Sequence, residues 1–207
     1  MSTPEEKYDA LADGFSEREY ADPARYSAGR ARLVVELGPR LERGATVVDL
    51  GCGDGIMADP LGAYGLVYTG VDLSSQMIEA ARRLHPGLTF VVERSEVYRP
   101  AEPVDATICL RAFSYPEDRL AFFRSVAGYT KQKFVLDFRQ RERSAALIER
   151  DLRAAGFTRI EMRPYFVPQR RSLPALAVNV LEALERTGPI AMFLSRYTGR
   201  VFCSASV

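Results

Sequence analysis

The chain has 207 residues, is 47% hydrophobic, and sets 28 basic against 27 acidic residues. That length and apolar content suit one domain with a sizeable core. The near-even charge argues against wholesale nucleic-acid binding. No apolar run approaches the roughly 18 residues needed to span a bilayer, and the opening MSTPEEKYDA has no signal-like core, so a soluble cytoplasmic protein is expected.

Taken in order, residues Pro4–Phe15 read as a weakly amphipathic helix, and Asp22-Pro23 starts a second one that runs to Gly38-Pro39. Thr46–Leu50 is a short buried strand. Gly55–Tyr64 should be helical, with Pro60 a potential kink. Strands at Leu66–Val71, Leu88–Val92, Val104–Leu110, Phe134–Phe138 and Thr158–Met162 follow, with Lys131 and Lys133 at the mouth of the fifth. Helices separate them: one capped by Ser74 and stopped by Pro86-Gly87, one at Glu117–Tyr129, one at Ser144–Ala155. Such alternation implies right-handed crossovers and a mostly parallel sheet covered on both faces. The end departs from the pattern. A connector (RPYFVPQRR) leads to helical segments Pro174–Arg186 and Pro189–Tyr197, then to a last strand, Arg200–Ser206, which has no room for a crossover and should be antiparallel.

The most informative stretch is VVDLGCGDG, Val47 to Gly55, where the first strand runs into alternating glycines. Such a loop lets the backbone turn sharply and approach a ligand. It does not match the G-x-G-x-x-G dinucleotide pattern, nor is there a G-K-S/T. Asp49 and Asp54 flank it, which disfavours a pyrophosphate and suits a cation, such as an amino acid bearing a sulfonium. The second strand ends GVDLS, so Asp72 stands at a carboxyl end beside the loop, where a carboxylate can accept both ribose hydroxyls.

VVDLGCGDG followed by GVDLS resembles the first two motifs of the class I, Rossmann-like S-adenosylmethionine-dependent methyltransferases. The resemblance covers about Thr46 to Met162 and the final strand. It implies an α/β, doubly wound, seven-stranded, mostly parallel sheet with an antiparallel last strand, plus N-terminal helices and a helical cap before that strand. The parts would be an N-terminal cover (1–45), a cofactor-binding core (46–163), the cap (164–199) and the last strand (200–207). The implied cofactor is S-adenosyl-L-methionine, with S-adenosyl-L-homocysteine as product. Carried over to this chain, Gly51, Cys52 and Gly53 would face the methionine portion, and Asp49 would orient its amino group or the loop. Asp72 would hold the ribose; Leu73 and Met77 would pack on the adenine. Leu110 and Arg111 would line the methyl-donor side. Tyr20, Tyr26 and Arg30 would belong to helices folded over the cofactor, with Arg30 either pairing with the cofactor carboxylate or serving as a surface charge. One departure stands out. Where many relatives have Gly-Asp-Ala after the third strand, this chain has Glu93-Arg94-Ser95-Glu96, so adenine recognition would shift to Ser95, Glu96 or backbone groups.

The single histidine, His85, falls at a helix end before Pro86 and reads as a surface C-cap, far from the sulfonium. A histidine base is therefore not expected, and the Leu-Arg-Ala-Phe after the fourth strand lacks the Asn/Asp-Pro-Pro-Tyr device used on base or glutamine amide nitrogens. That leaves a proximity mechanism, or a base from Tyr, Asp or Glu, with Arg111, Tyr115 and Tyr26 as catalytic candidates. Cys52, Cys109 and Cys203 read as buried thiols, and no metal is expected. The long segment Pro164–Gly199 is expected to close over the pocket as a substrate lid, or else to make a dimer contact. The arginines between Arg139 and Arg171 are interleaved with acids, which favours a solvated face over an RNA platform. The leading reading is a methyltransferase acting on O, N or C of a small metabolite, as monomer or homodimer. An RNA or protein methyltransferase and a non-catalytic cofactor-binding protein are the alternatives.

Overall fold

A computed structural model describes residues 4–113 and 117–207; the side chains of Pro4 and Lys7 are left aside. In chain order the elements are α1 (Pro4–Asp9), α2 (Phe15–Glu19), α3 (Pro23–Glu36), β1 (Thr46–Leu50), α4 (Ala58–Ala63), β2 (Val67–Asp72), α5 (Ser75–Leu84) and β3 (Thr89–Val92). Then come β4 (Val104–Cys109), α6 (Arg119–Tyr129), β5 (Thr130–Phe138), α7 (Ala145–Ala154), β6 (Arg159–Tyr165), α8 (Ala175–Glu185), α9 (Pro189–Leu194) and β7 (Arg200–Ser206). The strands form one seven-stranded sheet in the order β3-β2-β1-β4-β5-β7-β6. β1 to β5 pair in parallel, and β7 runs antiparallel to both β5 and β6. This is the expected Rossmann-like arrangement.

The period of two along each strand divides the core. Val47, Val135 and Phe202 point to the face covered by α3, α4 and α5, where they meet Leu33, Leu61 and Ile78. Their neighbours Val48, Phe134, Leu136, Val201 and Cys203 point the other way, to Phe122 and Phe123 of α6 and Ile148 and Leu152 of α7. Helix starts follow the sequence: Asp22, Ser74 and Ser144 each accept a hydrogen bond from the third residue of the helix they cap. Asp118 does the same for α6.

Four expectations need correction. The first helix is two, because Gly14 turns left-handed (φ 60°) and starts α2 afresh. α4 begins at Ala58, so Pro60 falls in its first turn, where no backbone bond is lost and no kink is required. β5 extends back to Thr130, which puts Lys133 inside the sheet, wholly buried, rather than at its mouth. Its ammonium donates to the carbonyls of Val35 (3.1 Å) and Leu37 (2.8 Å) at the C-terminus of α3, the end of a helix that favours a cation. His85 is the C-cap of α5, as its position suggests, but it is no surface residue: its side chain is 10% exposed, and Nδ1 lies 3.0 Å from Asp59 Oδ1.

Candidate active site

The carboxyl ends of β1, β2 and β4 surround a cavity of about 400 Å³, within the size range of small-molecule sites. It lies where the strand order reverses between β1 and β4, the place an open α/β sheet leaves a crevice. Its floor is the glycine loop. Gly51 has φ 77°, and a Cβ there would come within 2.3 Å of the Ala112 Cβ. The bare backbone is thus required by close packing as well as by the turn. The amides of Gly51 and Cys52 both donate to the Val71 carbonyl, at 2.7 and 3.0 Å, which ties the loop to the neighbouring strand. Gly55 serves a different purpose. A Cβ on it would meet the His85 ring at 2.8 Å, so the third glycine makes room for that side chain.

Three carboxylates rim this floor. Asp72 accepts the Gly53 amide on Oδ2 and the Ser74 amide on Oδ1, each at 2.9 Å. Each oxygen keeps a further lone pair for a ligand. Asp54 accepts the amide (2.9 Å) and hydroxyl (2.7 Å) of Ser16, which pins α2 over the loop. Asp49 is buried and, among the described residues, accepts only the Tyr68 hydroxyl, at 2.8 Å. Burial raises all three above the ordinary carboxylate range, Asp49 to about 7, where the Tyr68 bond opposes and the charge of Asp72 adds to the effect. Ionised acids held out of water seek a cation. Burial also pushes the Cys52 thiol well up, so it stays neutral.

Two sides complete the enclosure. On one, Leu73 and the fully buried Met77 give an apolar wall, with Arg94, Ser95 and Glu96 at its rim. Arg94 pairs with Glu96 at 3.2 Å. On the other, α1 to α3 fold over the opening and bring Glu5, Tyr8, Phe15, Tyr20, Tyr26 and Arg30 to the lining. Asp9 of α1 holds that cover down by accepting the Ser74 hydroxyl at 2.5 Å. The rings of Tyr20 and Tyr26 lie 4.0 Å apart, and the Tyr26 hydroxyl is buried without a partner among the described residues. Burial raises the Tyr26 pKa far from neutrality, so it is a hydrogen-bond donor and not a ready base.

Leu110, Arg111 and Ala112 close the far end. Arg111 is the one non-glycine residue with positive φ (65°) among the described residues. Its amide donates to Asp137 Oδ1 at 2.5 Å, and its guanidinium reaches the Tyr20 hydroxyl (2.6 Å) and Glu19 (3.3 Å). Asp137 also takes Arg30 Nη1 at 3.0 Å and Arg200 Nη1 at 3.1 Å on Oδ2. Burial alone would raise the Asp137 carboxyl, but the Arg30 and Arg200 charges outweigh it and hold it below the usual range.

Every cofactor residue singled out in the sequence therefore lines this one cavity. Arg30 does so as a buried, paired cation rather than a surface charge. Tyr115 lies outside the described residues. Phe15, Ile56, Met57 and Glu117 also line it, and no motif marks them as ligand contacts, because their positions come from packing. Asp137 escapes the sequence reading too, although the rule that finds Asp72, an acid at the carboxyl end of a strand, applies to it equally. No described residue of 164–199 lines the cavity, so the expected lid is not in contact with it. The segment reaches it second-hand: the Gln169 carbonyl accepts the Ala21 amide, and Arg170 pairs with Glu19 at 2.7 Å, bracing the helices that form the cover.

Residues 47–133 match a protein family described as "Methyltransferase domain". The chain is 33% identical over 94 residues to the ubiquinone biosynthesis O-methyltransferase of Vibrio vulnificus, an alignment spanning 42% of this chain and 40% of that relative. It thus covers well under half the length of that curated relative. Among solved structures it resembles a chain of the complex between the Haloferax volcanii Trm112 methyltransferase activator and a methyltransferase (TM-score 0.70, 22% identical, 99% of both chains). It also resembles the magnesium protoporphyrin IX methyltransferase of Synechocystis PCC 6803, solved with bound S-adenosylmethionine (TM-score 0.64, 20% identical, 100% of both). Sheet order and these structural likenesses together give the chain the Rossmann-like methyltransferase fold, and the similarity to a methyltransferase domain extends over residues 47–133.

Proposed function

We propose that this protein binds S-adenosyl-L-methionine in the acid-rimmed cavity and transfers its methyl group to a small-molecule acceptor. The observation that carries the reading is the juxtaposition of a glycine cradle with three buried carboxylates of raised pKa, an acceptor set that suits a ligand bearing an ammonium, a sulfonium and a ribose. Asp72 would hold the ribose hydroxyls, Asp49 the amino group, and the Gly51–Gly53 backbone the methionine portion. Leu73 and Met77 would cover the adenine, with Ser95 and Glu96 at its edge. Bound, the sulfonium supplies an electrophilic methyl and a good leaving group. What remains for the chain is alignment and exclusion of water, which α1 to α3 provide by closing the opening. Arg111 and the unpartnered Tyr26 hydroxyl would orient the acceptor as hydrogen-bond donors. No histidine takes part: His85 is engaged with Asp59. Where the acceptor must lose a proton, Glu117 at the rim is the carboxylate to test.

A small acceptor is favoured over RNA because several of the late arginines are spent on neighbouring acids. Arg150 pairs with Asp151, Arg153 with Glu149 and Arg159 with Glu161. The named relative, an O-methyltransferase of ubiquinone biosynthesis, agrees with a small acceptor. The test is incubation with isotopically labelled methyl donor and fractionated cell extract, followed by mass spectrometry. A labelled small molecule is expected. Label confined to RNA or protein fractions would overturn the substrate class, and binding of both cofactor forms without turnover would favour a non-catalytic role. Among the described residues no helix is long and apolar enough to cross a membrane.

A further inference from the structure

A second, smaller cavity of about 40 Å³ opens one strand along the same edge of the sheet, at the carboxyl ends of β4 and β5 and the start of β7. Arg111 lines both cavities and forms the wall between them. The character of the second is opposite to that of the first. Arg111, Arg139, Arg143 and Arg200 line it, against Asp137 and Glu142. Those two acids are already spoken for: Asp137 by Arg30, Arg200 and the Arg111 amide, Glu142 by Arg139 at 3.3 Å. Arg143 is half-buried and its guanidinium has no partner among the described residues. Arg111 Nε is buried without an acceptor among the described residues. Phe113 and Phe138, both buried, supply an apolar floor.

Arg139, Arg200 and Arg111 already meet Glu142, Asp137 and Glu19, so Arg143 is the lining guanidinium left unpaired, and four guanidinium groups over an apolar floor suit an anion attached to carbon. Guanidinium groups match planar carboxylates and phosphoryl oxygens with paired bonds. We infer that this cavity is an anion subsite in which Arg143 and Arg200 hold a carboxylate or phosphoryl group of the methyl acceptor, so that the acceptor is a small organic acid or phosphate ester. The inference rests on the reading of the large cavity as the methyl-donor site, since adjacency across Arg111 is what makes an anion here part of the acceptor. Arg143 and Arg200 are then specificity determinants, and the positive-φ turn at Arg111 has a purpose: it carries the chain between two pockets of opposite charge.

The test is calorimetric titration with succinate and, separately, inorganic phosphate at constant ionic strength, each followed by S-adenosylmethionine on the same sample. The wild-type protein should bind at least one of the two anions, and Arg143→Gln should weaken that anion about tenfold or more while leaving cofactor affinity unchanged. Arg141→Gln, exposed on the same loop and outside the cavity, should alter neither. Succinate alone would assign a carboxylate, phosphate alone a phosphoryl group. Failure of both anions to bind, or equal binding by Arg143→Gln, overturns the inference. A protein that binds an anion at Arg143 but not S-adenosylmethionine overturns the reading of the large cavity instead. Because Arg200 is paired with a buried acid, Arg200→Lys serves as the milder second variant; it should weaken the anion and keep the fold, as judged by circular dichroism.

Discussion

Two cavities share one edge of the sheet and differ in sign. The one at β1, β2 and β4 is rimmed by Asp49, Asp54 and Asp72; the one at β4, β5 and β7 is lined by four arginines. What separates them is a short turn, Leu110 to Ala112, whose central residue is anchored on both sides. The contrast teaches how one sheet edge can carry two cavities of opposite charge side by side. Charge is sorted along the edge, and on the arginine side Glu142 and Asp137 pair with Arg139 and Arg200 while Arg143 is left without a carboxylate among the described residues.

The hardest way to break this arrangement is at the turn's contact with the glycine loop. Gly51→Ala forces a Cβ onto Ala112 in a backbone conformation that alanine disfavours. It should cost about 3 kcal/mol of stability in urea denaturation and weaken ligands in both cavities, since Ala112 adjoins Arg111. Retention of full stability would show that the loop is not wedged there.

Next in size is the pH response of the acid cavity. Asp49 is held near 7 by burial, so between its ordinary value and 7 the folded chain binds a proton that the unfolded chain has lost. Stability of the free protein should therefore fall as pH rises, by about 2 kcal/mol between pH 5 and 7, and level off above 7. Asp49→Asn should flatten that slope. Affinity for a cationic ligand should move the other way, rising as Asp49 ionises, whereas succinate binding at the arginine cavity should change little from pH 6 to 8, because guanidinium keeps its charge and succinate stays largely ionised there. A parallel pH response in the two cavities would dissolve the contrast.

The smallest effect concerns the brace behind the cover. Arg170 is 71% exposed and meets Glu19 at the surface, so Arg170→Ala should change stability by no more than about 0.5 kcal/mol and cofactor affinity less than twofold. A larger loss would mean that residues 164–199 control the cavity more directly than their contacts imply.

The same contrast explains what can be read from the sequence. The acid cavity is made largely by two local stretches, Val47–Gly55 and Gly70–Ser74, so chemistry and spacing sit together in the chain. The sheet is legible for a similar reason, since the alternation of Val47 with Val48 or Val201 with Phe202 shows which residues face each layer. The arginine cavity draws on positions 111, 137, 139–143 and 200, which only the sheet order brings together. Arg111 can be named from its strand end, but its partners cannot. His85 reads as exposed because its burial depends on Gly55 and Phe90, outside its own helix. Lys133 reads as a strand-mouth charge because nothing local announces the carbonyls at the end of α3. The expectation that residues 164–199 cover the cavity rests on length alone, and length does not say which helix a connector packs behind.

The central claim is that the acid-rimmed cavity holds S-adenosylmethionine by its ribose on Asp72. Calorimetric titration of that cofactor into the wild-type protein and into Asp72→Ala, with folding checked by circular dichroism, tests it most directly. Saturable binding by the wild type and a loss of about a hundredfold in the variant are expected, because two loop amides and the ribose lose their acceptor together. No binding by the wild type, or unchanged affinity in a folded variant, would contradict it.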